Sequence, residues 1–284
     1  MPELPEVETV VRTLRPRLQG RRILSVDVAA PAAVGGQAAA FVRAVAGTRV
    51  TGLRRRAKLV LIDLDSGGTL AVHLKMTGRL LIKSEHEPHR HDRVRLGLDS
   101  GDILVFADMR TFGSLRHFPP GGLESWPFYR DLGPEPLGMA EAEFVDRLVG
   151  RNSAVKALLL DQTVVVGIGN IYADESLFRA RIHPAARASS LTPARLRRLF
   201  AAVQAVLTQA IAENGSSIRD YLDAEGNAGG FQNSFKVYGK KGEPCPVCRA
   251  ELQATKVAGR TSTFCPQCQK GEVPAGRKGG RSKR

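Results

Sequence analysis

The sequence contains no run approaching the ~18 apolar residues of a membrane-spanning helix, and no secretory signal leads it. Cysteine is missing everywhere except between positions 245 and 268, where all four lie. That confinement argues against a disulfide framework and for metal. No internal repeat is present, which excludes solenoids and propellers. Acidic residues are in deficit, 28 against 42 Lys plus Arg, giving a net charge of +14. The pI is near 10.2. Such an excess points to a polyanionic partner, with nucleic acid ahead of an anionic membrane surface. A cytoplasmic, nucleoid-associated protein with no membrane association is expected. The length of 284 residues suits about two domains.

The first stretch that carries information is Pro2-Glu3-Leu4-Pro5-Glu6-Val7-Glu8. Apolar residues then fall at Val7, Val10, Val11, Leu14 and Leu18, one face of a helix. Pro16 should kink or end that helix, and Gly20 should stop it. Two readings of the leading acids stand together. Pro5, Glu6 and Glu8 suit the first turn of a helix and its positive end. Removal of Met1, expected because the next residue is compact, would also leave Pro2 as a secondary amine able to attack an electrophilic sugar carbon. A chain that keeps Met1 has that nucleophile blocked.

Short strand-like runs follow at Ile23–Val28, Leu59–Leu64, Leu70–Leu74, Arg79–Ile82, Val94–Leu98, Ile103–Phe106 and Leu115–Phe118, punctuated by turns such as Asp65-Ser66-Gly67-Gly68. Strands at this spacing predict an antiparallel sandwich or barrel. An Ala-rich piece around 36–46 reads as a helix inserted between strands. Pro and Gly crowd 119–137, which reads as a linker. Helical patterning then takes over: Phe144, Val145 and Leu148 share a face, and Thr192-Pro193 opens a long helix with a cap and a proline at its first position. The expected division is a β-sandwich domain over 1–120, a linker over 121–137, a helical domain over 138–235, a hairpin over 236–270 and a disordered basic tail over 271–284. The tail carries five basic side chains, which would add non-specific attraction to DNA. The Gly-, Asn- and Ser-rich stretch over 214–235 is expected to be a mobile loop.

Cys245-x-x-Cys248 and Cys265-x-x-Cys268, with 16 residues between the pairs, have the spacing of a four-thiolate zinc site. Four cysteines leave zinc no open position, so one structural Zn²⁺ is expected. His86, His89 and His91 lack a supporting Cys or acid framework and read as a polar loop. Gly167-x-Gly169-Asn170 precedes a helix and can turn backbone N–H groups toward a phosphate. It is no dinucleotide fingerprint, because the third glycine is missing.

Taken in order, several motifs together resemble the formamidopyrimidine-DNA glycosylase (Fpg) family over almost the whole chain. They are the stretch from Pro2 to Glu8, Lys58 after Arg54-Arg55-Arg56, and His73-Leu74-Lys75-Met76-Thr77-Gly78. Asp108-Met109-Arg110-Thr111-Phe112-Gly113 and Gly167-Ile168-Gly169-Asn170-Ile171-Tyr172-Ala173-Asp174-Glu175 follow, and the cysteine pairs close the series. Two positions depart from the pattern: Lys75, where a smaller residue or Arg is expected, and Met109, where Pro is expected.

The resemblance implies an α+β fold. An N-terminal helix would lead an antiparallel β-sandwich, followed by a helix-two-turn-helix (H2TH) domain with a zinc β-hairpin, and duplex DNA would lie in a basic cleft between the domains. It implies a monomeric bifunctional enzyme that excises oxidised purines (8-oxoguanine, formamidopyrimidines) and cleaves the strand by β,δ-elimination. Pro2 would be the nucleophile and Glu3 the general acid/base. Glu6 would be an orienting carboxylate or a cap. Lys58 would assist cleavage, and Arg260 would clamp phosphate on the zinc hairpin. Met76, Arg110 and Phe112 match the residues that fill the gap left by an extruded base. From spacing alone, core packing would explain Met76 and Phe112, and a solvated strand Arg110. Asn170 matches a phosphate contact, and Arg151, Lys156 and His91 align with further DNA contacts. The loop around Ser217 to Gly230 would close over the flipped base or serve as a plain connector. Two alternatives remain at this point: an endonuclease VIII-like enzyme for oxidised pyrimidines, against which Leu4 and the Phe112 region speak, and a non-catalytic zinc-finger DNA-binding protein.

Overall fold

The computed structural model describes residues 1–217 and 221–270; the basic tail over 271–284 lies outside the described residues. The chain forms two compact units, Met1–Glu135 with Leu207–Ser234, and Pro136–Val206 with the segment from Phe235 onward.

The first unit opens with α1 (Leu4–Leu18), which buries Val7, Val10, Val11, Leu14 and Leu18. The helix ends near Pro16, as expected, two residues beyond it at Leu18. Pro16 stands in the last turn, where its missing N–H forfeits one backbone bond, and the Gln19 N–H closes the helix on the Arg15 carbonyl at 3.1 Å. Then come β1 (Ile23–Val28), α2 (Ala38–Val45), β2 (Val50–Arg56), β3 (Leu59–Leu64), β4 (Thr69–His73), β5 (Gly78–Lys83), β6 (Asp92–Leu98), β7 (Ile103–Asp108) and β8 (Ser114–Phe118). They make two four-stranded antiparallel sheets, ordered β1-β6-β7-β5 and β2-β3-β4-β8.

The period-2 apolar residues of both sheets, among them Val60, Ile62 and Val72 with Val94, Leu96 and Phe106, share one core with the apolar stripe of α1. That core holds the N-terminus of α1 in a fixed place. Strand β2 has no counterpart among the expected strands because its second half, Arg54-Arg55-Arg56, reads as a basic run. It is an edge strand, where charge is tolerated.

The segment after β8 is no free linker. Leu123 is buried with Leu59, Leu61 and Ala71 on the outer face of β3 and β4, and Phe118, Trp126, Tyr129 and Leu132 pack around them through α3 (Pro127–Arg130). Aromatic and leucine side chains supply apolar area that the Pro/Gly content of the stretch concealed.

In the second unit α4 (Glu141–Leu148) buries Phe144, Val145 and Leu148, and α5 (Val155–Leu160) is joined to α6 (Asn170–Arg179) by two tight turns. Gln162 organises the joint: its carbonyl accepts the Gly167 N–H at 2.9 Å, and its amide donates to Leu160 O and Ile168 O at 3.0 Å. The long helix α7 (Pro193–Ala212), whose residues from Leu207 on count with the first unit, begins after Thr192, whose hydroxyl accepts the Arg195 N–H. Strands β9 (Gln253–Val257) and β10 (Arg260–Phe264) form the hairpin, turning at Ala258 and Gly259, both with positive φ.

Candidate active site and DNA-facing residues

Pro2 is buried at the mouth of α1, and Met1 beside it is half exposed. Glu3 caps the helix. Its carboxylate receives the Glu6 N–H, and Glu6 Oε2 receives the Glu3 N–H at 2.8 Å. Glu6 also accepts from the Ser216 N–H (2.7 Å) and hydroxyl (3.1 Å) through Oε1. Glu6 is therefore both cap and anchor, and it ties the segment ahead of residue 218 to the N-terminal end of α1. Gly215 makes that approach possible: a Cβ there would stand 2.9 Å from the Glu6 side chain. The described parts of the stretch 214–235, expected to be a mobile loop, are held in place. Ser217 Oγ donates to Tyr221 O at 2.8 Å and accepts the Gly229 N–H at 2.9 Å, and the Ile82 N–H reaches Ala224 O at 2.9 Å. Residues 218–220 of the expected lid lie outside the described residues.

Lys58 sits in the two-residue turn between β2 and β3, nearly buried. Close by, at the end of β4, is His73. Its Nδ1 accepts the Lys75 N–H at 3.0 Å, which leaves the hydrogen on Nε2. Burial, followed by the charges of Lys75 and Lys58, pushes its pKa down to about 3. A neutral imidazole beside two cations can donate a hydrogen bond to an anion without adding charge. Lys75 itself has φ +52, the left-handed region that glycine occupies without strain, and its ammonium lies over the Phe128 ring.

Met76, Arg110 and Phe112 are brought together at the tips of two strand connections. Met76 is 42% exposed and Phe112 56%, so neither belongs to the core. The Arg110 guanidinium lies 4.8 Å from the Phe112 ring centroid and donates to Met76 Sδ at 3.2 Å. Buried Asp108 shapes this platform, accepting the Thr77 hydroxyl at 2.5 Å, the Arg110 N–H at 3.2 Å and the Gly113 N–H at 2.7 Å. An apolar wedge beside an arginine is what entry into a base stack calls for. His91 lies at the end of a loop that Asp92 secures through His86 Nε2 (2.7 Å) and the His89 N–H (2.9 Å). Among the described residues, these histidines are not part of any metal-competent cluster.

In the second unit Asn170 begins α6, and its amide donates to Thr261 O at 3.1 Å. Arg260, one residue before, is exposed at the hairpin turn, and Arg151 is exposed ahead of α5. Lys156 requires a correction. It is fully buried, and its ammonium bonds to Asp174 Oδ1 (2.7 Å), Ser262 Oγ (2.7 Å) and Thr261 O (3.3 Å). It cannot reach a phosphate from there, and what it holds is the hairpin that carries Arg260. Sequence reasoning missed its partners Asp174 and Ser262, which lie 18 and 106 positions away. It also missed the role of Glu175, whose carboxylate collects the N–H groups of Lys236, Val237 and Tyr238 at 2.8–3.1 Å.

The four cysteine sulfurs lie within 4.8 Å of one another, against about 3.8 Å between thiolates on a tetrahedral zinc. The Val247 N–H approaches Cys245 Sγ at 3.4 Å and the Cys268 N–H approaches Cys265 Sγ at 3.3 Å, the knuckle bonds expected of metal-binding pairs. The donor set is all sulfur and leaves no open position, which fits a structural zinc ion.

Comparison with known proteins agrees with this geometry. The family model for the formamidopyrimidine-DNA glycosylase N-terminal domain matches residues 1–115, that for its H2TH domain residues 132–221, and that for the zinc finger found in FPG and IleRS residues 242–271. A formamidopyrimidine-DNA glycosylase of Desulfitobacterium hafniense is 46% identical over 273 residues, spanning 95% of this chain and all of that one. Two crystal structures of a Lactococcus lactis Fpg superpose, each covering 95% of this chain and all of that chain. One complex holds DNA with an abasic site (TM-score 0.89, 35% identity), the other DNA containing Fapy-dG (TM-score 0.88, 34% identity).

Proposed function

Because the chain belongs to the formamidopyrimidine-DNA glycosylase family, we propose a residue-level account of how it removes oxidised purines from duplex DNA and cleaves the strand. The protein is a base-excision repair glycosylase with AP lyase activity, and its H2TH domain and zinc finger serve DNA binding. Its substrate is DNA, and on that ground we read it as a monomer that works in the cytoplasm.

After loss of Met1, the Pro2 nitrogen attacks C1′ of the extruded nucleotide. A bond forms from nitrogen to C1′ as the bond to the damaged base breaks, and the base leaves with a proton. A terminal amine has a pKa near ~8, so a neutral fraction is present at pH 7. Glu3 protonates the opening sugar oxygen and later takes a proton from C2′ of the iminium. Elimination of the 3′ and then the 5′ phosphate follows, with Lys58 and Arg260 stabilising the departing oxyanions. Glu6 is committed to the Glu3 N–H and to Ser216, so it orients Glu3 and exchanges no proton. Met76, Arg110 and Phe112 occupy the gap left by the base, and Asn170, Arg151 and His91 grip phosphates. Zinc, when bound by Cys245, Cys248, Cys265 and Cys268, supplies rigidity to the hairpin.

The observation that carries this reading is the burial of Pro2 and Glu3 at the start of a helix whose other first-turn acid is already engaged. Borohydride reduction in the presence of a duplex with 8-oxoguanine opposite cytosine should yield a covalent adduct, and Pro2→Gly should abolish it. A non-catalytic zinc-finger protein would give no adduct. Preference for a parallel thymine glycol duplex would indicate the oxidised-pyrimidine specificity instead.

A further inference from the structure

The turn that presents Lys58 is strained and externally braced. Ala57, its first residue, has φ +54, a left-handed conformation in which a Cβ crowds the following carbonyl oxygen. The turn does not hold this shape by itself. The Ala57 N–H donates to Glu135 Oε1 at 2.6 Å. The same carboxylate accepts two bonds from Arg55 Nη1, at 3.0 and 2.8 Å, and one from Arg56 Nη1 at 3.2 Å. Arg55 Nη1 also donates to Ala57 O at 3.0 Å, so both backbone groups of Ala57 are claimed.

The guanidinium of Arg55 continues across to α1, where its Nε donates to Glu8 Oε2 at 2.8 Å. Its side chain is only 10% exposed, so these charges meet away from bulk water and are screened little. Arg56 adds bonds to Leu132 O (3.1 Å) and Gly133 O (2.6 Å), fixing the backbone that carries Glu135. A continuous chain of charge-assisted bonds thus runs from the helix bearing Glu3 and Glu6 to the turn bearing Lys58. Four formal charges, two of each sign, cancel within it: Arg55 and Arg56 against Glu135 and Glu8.

We propose that Glu135 is a positioning residue for the strand-cleaving chemistry. Its carboxylate, together with Arg55 and Glu8, sets the placement of Lys58 relative to the nucleophile end of α1. Glu135 touches no reacting atom; it acts through Lys58. The inference rests on the role given to Lys58 above.

The test is a double-mutant cycle on single-turnover cleavage of a duplex with 8-oxoguanine opposite cytosine. Glu135→Gln is expected to slow cleavage by roughly 10–100-fold, the range for a misplacement of about 1 Å. In a Lys58→Ala background the same change should alter the rate by less than about twofold, because the residue it places is gone and the two losses are then far from additive. Hydrogen exchange at the Ala57 amide should also quicken in Glu135→Gln. Equal fold losses in both backgrounds, or no loss from Glu135→Gln, would overturn the proposal while leaving Lys58's role intact. A fully active Lys58→Ala would remove the role of Lys58, and the brace with it. Should Glu135→Gln fold poorly, Glu8→Gln breaks the far end of the same chain, with the same pattern expected and the same outcomes decisive.

Discussion

The Lys156 ammonium meets the Asp174 carboxylate at 2.7 Å with neither side chain more than 1% exposed. Asp174 uses its other oxygen on the Thr263 N–H at 3.0 Å, and Lys156 reaches Ser262 Oγ and Thr261 O. Burial pushes the Asp174 carboxyl up to about 6 even with the ammonium against it. Such a pair supplies little net stability. Its effect is placement: it fixes the strand that begins at Arg260 against α6, the helix that begins at Asn170.

Removing one partner should therefore cost more than removing both. Asp174→Asn leaves a buried ammonium without its counter-ion and is expected to destabilise by roughly 3–5 kcal/mol, measured by denaturant unfolding. Lys156→Met with Asp174→Leu should recover most of that loss and still bind abasic-site DNA more weakly than the parent, because the hairpin has lost its tether. Parent-like affinity in the double variant would show that Lys156 does not position the hairpin.

His73 gives the protein a distinctive acid sensitivity. Its imidazole has a pKa of about 3 in the fold, against 6.5 in an exposed histidine, because burial opposes the charge. The unfolded chain therefore binds a proton that the folded chain refuses. Stability from this source is complete above pH 6.5 and falls as pH drops, by up to roughly 4–5 kcal/mol at pH 3. His73→Asn can keep an acceptor for the Lys75 N–H without this titration. Urea unfolding at pH 7 and pH 5 should show the parent losing about 2 kcal/mol more than the variant. Parallel losses would mean that His73 is protonated in the fold.

What the sequence made legible follows from the range of the interactions. Seven of the eight strands of the sandwich, the helical stripe from Val7 to Leu18 and the zinc spacing are local patterns, and they stand where they were expected. Core packing was the competing account of Met76 and Phe112, and exposure alone decides against it. The misreadings are non-local. Arg54-Arg55-Arg56 reads as a bare basic run until Asp63, Glu8 and Glu135 are seen to neutralise it. Lys156 reads as a DNA contact until Asp174 is seen to enclose it. Glu6 has two functions only because Ser216, 210 positions away, comes back to it. No periodicity in the sequence encodes such pairings, because each requires the fold before it exists.

The zinc hairpin offers the sharpest separation between folding and function. The apolar cluster around it is small: Phe178, Val237, Leu252, Cys245 and Cys265, with Ala250 and Cys268 at its edge. Two of its five buried members are metal ligands, so loss of the ion removes part of the packing as well as the bonds. Structural zinc contributes about 10–16 kcal/mol in isolated fingers, far more than that cluster can replace. Chelation, or Cys265→Ser, is thus expected to unfold the hairpin. The sandwich core is built from other residues altogether and should keep its unfolding transition. Arg260 would then lose its fixed place, and DNA binding should fall by at least the ~100-fold expected from losing a charge-assisted phosphate contact and its scaffold. Calorimetry and a DNA-binding titration on the same metal-free sample decide the matter. A zinc-free protein with parent affinity would show that neither the hairpin nor Arg260 holds the DNA.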